Sequence, residues 1–119
     1  MPALIGITER RVAGVTIIEL EGRLVLDEGD LELRDWVNRL VEEGRVQIVL
    51  DMRDVTRLDS AGIGMLVSKY LTAQRKGGSV KLLHMTIRGG HVLDITKLSE
   101  VFEIFESEDE AIRSFAPLR

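Results

Sequence analysis

Few side chains in this sequence are able to do chemistry, and the ones that invite attention sit together. There is no cysteine, and the only histidines are His84 and His91. Thiolate nucleophiles, thiolate metal sites and disulfides are therefore excluded. The informative stretch is Val49-Leu50-Asp51-Met52-Arg53-Asp54-Val55-Thr56-Arg57-Leu58-Asp59-Ser60-Ala61-Gly62-Ile63-Gly64. A buried strand ends, a polar loop turns, and Asp59-Ser60 opens a helix. A helix start leaves backbone N–H groups without partners and carries the positive end of the dipole. A phosphate on Ser60 would be held by those groups. Gly62 and Gly64 leave the first turn nearly bare, so that another protein's backbone or a nucleotide can come close.

The plainer expectation is weighed on the same residues. Asp and Ser are favoured helix N-caps, and on Asp59-Ser60 alone capping outweighs phosphate chemistry. A serine-hydrolase elbow wants Gly-x-Ser-x-Gly, whereas Ser60 stands in Leu58-Asp59-Ser60-Ala61-Gly62. Gly62-Ile63-Gly64 lacks the third glycine of the dinucleotide fingerprint, and no Gly-Lys-Ser/Thr follows, which excludes a P-loop. Asp51, Asp54 and Asp59 suggest a magnesium site, but ordinary loop and cap carboxylates account for them better. His84 is expected to end a strand and not to bind metal. Arg88-Gly89-Gly90-His91 could bind an anion, but a flexible loop before the third helix accounts for it better.

These residues need elements to position them. Residues 3–11 and 15–20 are strand-like around Val12-Ala13-Gly14, which predicts a hairpin, with Gly22 ending its second strand. Arg23-Leu24-Val25-Leu26 leads toward a helix whose buried face is Leu33, Trp36, Val37, Leu40 and Val41. Asp30 is its expected N-cap and Gly44 its C-terminal stop. Val46-Gln47-Ile48-Val49-Leu50 reads as a central strand covered on both faces. The second helix carries Ile63, Leu66, Val67, Tyr70, Leu71 and Gln74 and stops at Gly77-Gly78. Val80 to His84 is another strand, residues 91–98 a short helix, and Val101 to Phe105 a final strand. Ser107-Glu108-Asp109-Glu110 is a capping box. It opens a terminal helix that buries Ala111, Ile112 and Phe115, with Pro117 helping to end it. Strands alternating with helices give an α/β fold, one domain over residues 1–119.

Composition sets the outer limits. A chain of 119 residues, 45% hydrophobic and 30% charged, suits one core, and its net charge of −4 argues against a nucleic-acid binder. The N-terminal residues do not form a signal peptide, and no apolar run approaches the ~20 residues of a membrane helix. A cytoplasmic location is expected.

The sequence resembles the STAS domain family, named for sulfate transporters and anti-sigma factor antagonists. The resemblance runs from the hairpin and Glu21-Gly22-Arg23-Leu24, through Val49-Leu50-Asp51 and Asp59 to Leu66, to the stretch from Lys97 to Phe105. The family's central pattern is Asp-Ser-Ser/Thr-Gly-x-Gly after a short strand and a loop. The resemblance implies the STAS fold, a small mixed β-sheet with an N-terminal hairpin and alternating helices. For a standalone chain it implies an anti-sigma factor antagonist, a regulator and not an enzyme, with no metal and no cofactor of its own. In its unphosphorylated form such a protein binds an anti-sigma factor that is also a serine kinase. Phosphorylation of the serine after the aspartate, here Ser60, switches it off, and a serine phosphatase resets it.

By the same resemblance Asp59 positions Ser60 and bonds to the neighbouring loop, and Gly62 and Gly64 permit close docking. Ala61 stands where the family has a second Ser/Thr, which leaves Ser60 the sole acceptor of the motif. Many antagonists read Gly-Glu-Leu-Asp after the second strand, where this chain reads Gly22-Arg23-Leu24-Val25. The acid is absent, and Asp27 is its nearest replacement. The expected partner surface is therefore Asp59, Ala61, Gly62, Gly64, Arg23, Val25 and Asp27, on a monomer or weak dimer with no nucleic acid and no membrane. The alternatives are a structural STAS subunit of a larger signalling assembly, and a small-ligand sensor. The sensor's pocket would lie between the Asp54–Ser60 and Arg23–Asp27 loops.

Overall fold

The computed structural model describes residues 5–26, 29–85, 98 and 100–115. Strand β1 (Ile5–Val12) turns into β2 (Val15–Leu24) through Ala13 and Gly14. Their φ values of 52° and 81° are the paired left-handed conformation of a tight hairpin turn. Helix α1 (Asp30–Glu42), β3 (Gln47–Leu58), α2 (Ser60–Arg75), β4 (Ser79–Leu83), β5 (Ile104–Phe105) and α3 (Glu108–Arg113) follow. The sheet order is β1-β2-β3-β4-β5. The β1–β2 pair is antiparallel and the other three pairs are parallel. This is the mixed sheet expected.

Alternation along the strands splits the core into two layers. Ile18, Leu20, Ile48, Leu50, Val80 and Leu82 pack against Leu33, Val37 and Leu40 of α1 and Leu66 and Ala73 of α2. Trp36 borders this layer half-buried, and its Nε1 donates to Glu9 Oε1 at 3.0 Å. On the other face Val15, Ile17, Val49 and Leu83 pack against Ala111 and Phe115, and so α3 covers part of the sheet. Lys81 tethers that end: its Nζ donates to Ser114 Oγ at 2.8 Å and lies 4.3 Å from the Phe115 ring. A buried ammonium is tolerated only with such partners.

Several boundaries differ from the sequence expectation. β2 does not end at Gly22 but continues to Leu24. β3 does not stop at Leu50: the supposed polar loop is strand as far as Leu58. Two register shifts in the β2–β3 pairing insert extra β3 residues between Glu19 and Glu21 and between Gly22 and Arg23. Such bulges bend and twist a strand. The N-cap of α1 is Gly29, not Asp30. Val101 is helical, and the last strand is only Ile104–Phe105. The Arg88–His91 loop, residues 91–97 and Pro117 lie outside the described residues.

Candidate functional site

The end of β2, the end of β3 and the start of α2 meet around one carboxylate. Asp59 is the α2 N-cap, in extended backbone, and its Oδ1 accepts from Gly62 N–H at 3.0 Å. Its Oδ2 accepts from Leu26 N–H at 3.1 Å, 33 residues earlier in the chain. One side chain thus caps the helix and fastens it to the segment leaving β2. The Gly62 N–H holds the Asp59 carboxyl below its usual range; partial burial opposes this, and the N–H groups of Leu26 and Ala61 add to it. Asp59 therefore stays ionised beside the helix start.

Ser60 is the first residue of α2 and is exposed. It does not serve as the cap. Because Asp59 takes that work, the Ser60 hydroxyl has no hydrogen-bond partner among the described residues. Ala61, next along, is half-buried. The two glycines of the motif part company. A Cβ on Gly62 would stand 2.2 Å from Leu24 O and 2.6 Å from Leu58 Cδ1, whereas one on Gly64 would meet nothing within 4 Å. Gly62 faces inward, toward Leu24 and Leu58. Its missing side chain is used by the fold, to let α2 touch the β2 backbone. Gly64 is exposed and leaves the first turn open outward.

Val25 also departs from expectation. It is 9% exposed and forms an isolated bridge to Gly29. Arg23 is exposed, with Arg57 beside it in the register. Asp27 lies outside the described residues. The segments expected to flank a ligand pocket pair as strands over the described residues: Arg23 aligns with Arg57 and Leu24 with Leu58. What the sequence reading passed over is Leu26. It is 63% exposed beside the Asp59 cap, and Leu31 in the first turn of α1 is 44% exposed. An apolar residue just beyond a strand end carries no pattern that marks it as exposed.

The remaining candidates are engaged elsewhere. His84 follows β4 with a left-handed φ of 58°. Its Nδ1 is 3.0 Å from Asp51 Oδ1, and its Nε2 is 3.0 Å from Arg53 Nη2. His91 lies outside the described residues. Among the described residues no three His, Asp or Glu side chains group as metal ligands, and no helix is long and apolar enough to cross a membrane.

A helix start clamped by an aspartate, with an exposed serine behind it on a mixed sheet, is the arrangement implied by the sequence resemblance. The STAS domain model matches residues 7–111. The chain is a STAS domain. This STAS domain is 28% identical over 81 residues to the anti-sigma-B factor antagonist of Bacillus subtilis, covering 68% of this chain and 73% of that one. It is 25% identical over 100 residues to the anti-sigma F factor antagonist of Paenibacillus polymyxa, covering 83% and 85%. Its fold matches an anti-sigma factor antagonist from Mycobacterium paratuberculosis with a TM-score of 0.76 at 20% identity, covering 96% of each chain. It also matches SpoIIAA in its unphosphorylated form with a TM-score of 0.68 at 18% identity, covering 92% of this chain and 100% of that one.

Proposed function

We propose that this STAS domain is an anti-sigma factor antagonist that works by partner switching. It binds an anti-sigma factor with serine-kinase activity through the start of α2, is switched off by phosphorylation at Ser60, and is reset by a serine phosphatase. The setting is the bacterial cytoplasm. The relatives named as antagonists support the general role. The observation that carries Ser60 is its hydroxyl at an exposed helix start, without a partner among the described residues, with the capping bond made by Asp59 instead.

The physics of the switch follows from this placement. Transfer of a phosphoryl group from ATP to Ser60 Oγ, with loss of the hydroxyl proton, adds roughly −1.5 to −2 charges. That charge lands next to the ionised Asp59 and within a turn of the open Gly64 surface. The α2 dipole offsets only about half a charge. A partner seated on Gly64 and the exposed Leu26 in the unmodified state would face a desolvated dianion in the modified one. Interfaces are lost by such uncompensated charge.

The test is incubation with the cognate kinase, ATP and magnesium, followed by mass mapping. Phosphate is expected on Ser60 and absent from Ser60→Ala. In binding assays Ser60→Ala is expected to retain the kinase and Ser60→Asp to weaken it. Phosphate on another residue, or equal affinities for the two variants, would end the proposal.

A further inference from the structure

The buried face of α2 is Gly62, Leu66, Lys69 and Ala73. A lysine thus holds a position that packing would give to an apolar residue, between Leu66 and Ala73 of the helix-side core. Lys69 is 8% exposed. Its Nζ donates to Asn38 Oδ1 of α1 at 2.7 Å, and it has no ion pair among the described residues. An ammonium carries three donors, and the one used here meets a neutral amide. Lys81, the other buried lysine among the described residues, is held differently. Glu103 Oε1 stands 3.1 Å from its Nζ, and Ser114 O and Oγ accept from it at 3.2 and 2.8 Å. Lys81 has a counter-ion in contact. Lys69 has none.

The charges near Lys69 do not supply one. Arg34 and Asp35, on the turn of α1 before Asn38, bond to each other, with Arg34 Nη2 3.2 Å from Asp35 Oδ1. Burial lowers the Lys69 pKa, and the repulsion of Arg34 outweighs the attraction of Asp35. Two cations therefore share one carboxylate beside the α1–α2 contact, and Arg34 holds it. An unpaired ammonium withdrawn from water costs stability, and an apolar side chain of similar volume is often neutral or better in its place. Folding gains nothing from the choice of lysine here.

This contact lies within reach of Ser60. Helix α1 joins β2 to β3 and α2 joins β3 to β4, each between parallel strands, so the two helices run in the same direction. Both start at one edge of the sheet, and Arg34 is nearer to that edge than Asn38 and Lys69. Lys69 is nine residues beyond Ser60, which is about 14 Å along the helix axis. An interface of standard size covers about 800 Å² of each partner, roughly 30 Å across, and so takes in both positions.

We propose that Lys69, with Arg34 beside it, receives an acidic side chain of the anti-sigma factor that docks on the start of α2. The proposal rests on the antagonist reading above and adds to it the chemistry of the partner's contact. The incoming carboxylate takes donors of the ammonium that Asn38 leaves unused. It also supplies the counter-ion that neither helix provides, so that a cost carried by the free chain is recovered on binding.

Calorimetric binding of the full chain to its cognate kinase, with denaturant unfolding of each variant, tests this. Lys69→Met is expected to be at least as stable as the native chain, while its affinity for the kinase falls about tenfold or more. Arg34→Glu, at an exposed position, is expected to weaken binding to a lesser degree. The native affinity should fall as salt is raised, and that of Lys69→Met less steeply, because one screened attraction is gone. A lysine that only supported packing would lower stability when replaced and leave the salt slope alone. A Lys69→Met chain that binds as tightly as the native one overturns the proposal. So does one that is less stable than the native chain and keeps its salt slope. Either result leaves the antagonist reading standing, whereas a native chain that binds no kinase overturns both.

Discussion

The two long helices begin in opposite ways although they dock on the same piece of chain. The cap of α1 is backbone alone. Gly29 caps it with a φ of 102° and no side-chain bond, and a Cβ there would stand 2.4 Å from Arg23 O. The start of α2 is fixed by a carboxylate, with Asp59 spanning Gly62 N–H and Leu26 N–H. Both starts abut the residues that leave β2: Gly29 on Arg23, Gly62 on Leu24, Asp59 on Leu26. Close packing there leaves little room for side chains, which is why glycine recurs. The difference matters for chemistry. At α1 the first helical side chain, Asp30, is buried and its Oδ1 accepts from Leu31 N–H at 2.9 Å. At α2 an adjacent residue does the capping, and the first helical side chain, Ser60, is left in the open.

This contrast can be broken or sharpened by substitution. The largest effect is expected for Gly62→Ala. Its new methyl would meet Leu24 O at 2.2 Å, so the α2 start must lift, at a cost of about 2–3 kcal/mol by denaturant unfolding. Gly29→Ala should cost somewhat less, about 1–2 kcal/mol, through its left-handed φ and the contact with Arg23. If Gly29→Ala were neutral, the backbone account of the α1 start would fail. Asp59→Ala removes a cap and a link across the chain, and should cost about 1–2 kcal/mol. It should also speed amide exchange at Leu26 and Gly62.

The pH dependence of the α2 start has a definite sign. The Asp59 carboxyl titrates below its usual range, so the unfolded chain takes up this proton first as pH falls. Its contribution is complete above the unfolded value of about 4 and is lost as pH drops through the lower folded value. The stability gap between the native chain and Asp59→Asn should therefore hold steady from pH 7 to about 5 and close in more acidic solution. A gap that widens in acid would reverse the assignment. The smallest effect belongs to Gly64→Ala, which should stabilise the chain by about 0.5–1 kcal/mol, because this helical glycine meets nothing. Outcomes of opposite sign at Gly62 and Gly64 would be the sharpest evidence that one faces the fold and the other the solvent.

Much of this was legible in the residues. The hairpin, the helical faces of α1 and α2, and the capping of α3 by Ser107 all follow from local pattern, with Ser107 Oγ accepting from Glu110 N–H at 3.3 Å. The second half of β3 was not. Its inward residues are Met52, Val55 and Leu58, spaced by three because the bulges insert residues twice, so the alternation that marks a strand is lost. By residue type Asp59 and Ser60 are both candidates to cap α2, since both types favour that place. Gly62 and Gly64 looked equivalent because bareness is visible in a sequence and its direction is not.

Residue types and their local spacing, by themselves, determined the succession of strands and helices, the motif from Asp59 to Gly64 and its family. Those are properties of neighbours along the chain. Only the tertiary structure decided which of Asp59 and Ser60 is used up, which glycine is spent on packing, and that Leu26 lies exposed beside the site. Each of these depends on where β2 ends relative to α2. That is set by pairing between segments more than 30 residues apart, over which a local pattern carries no information.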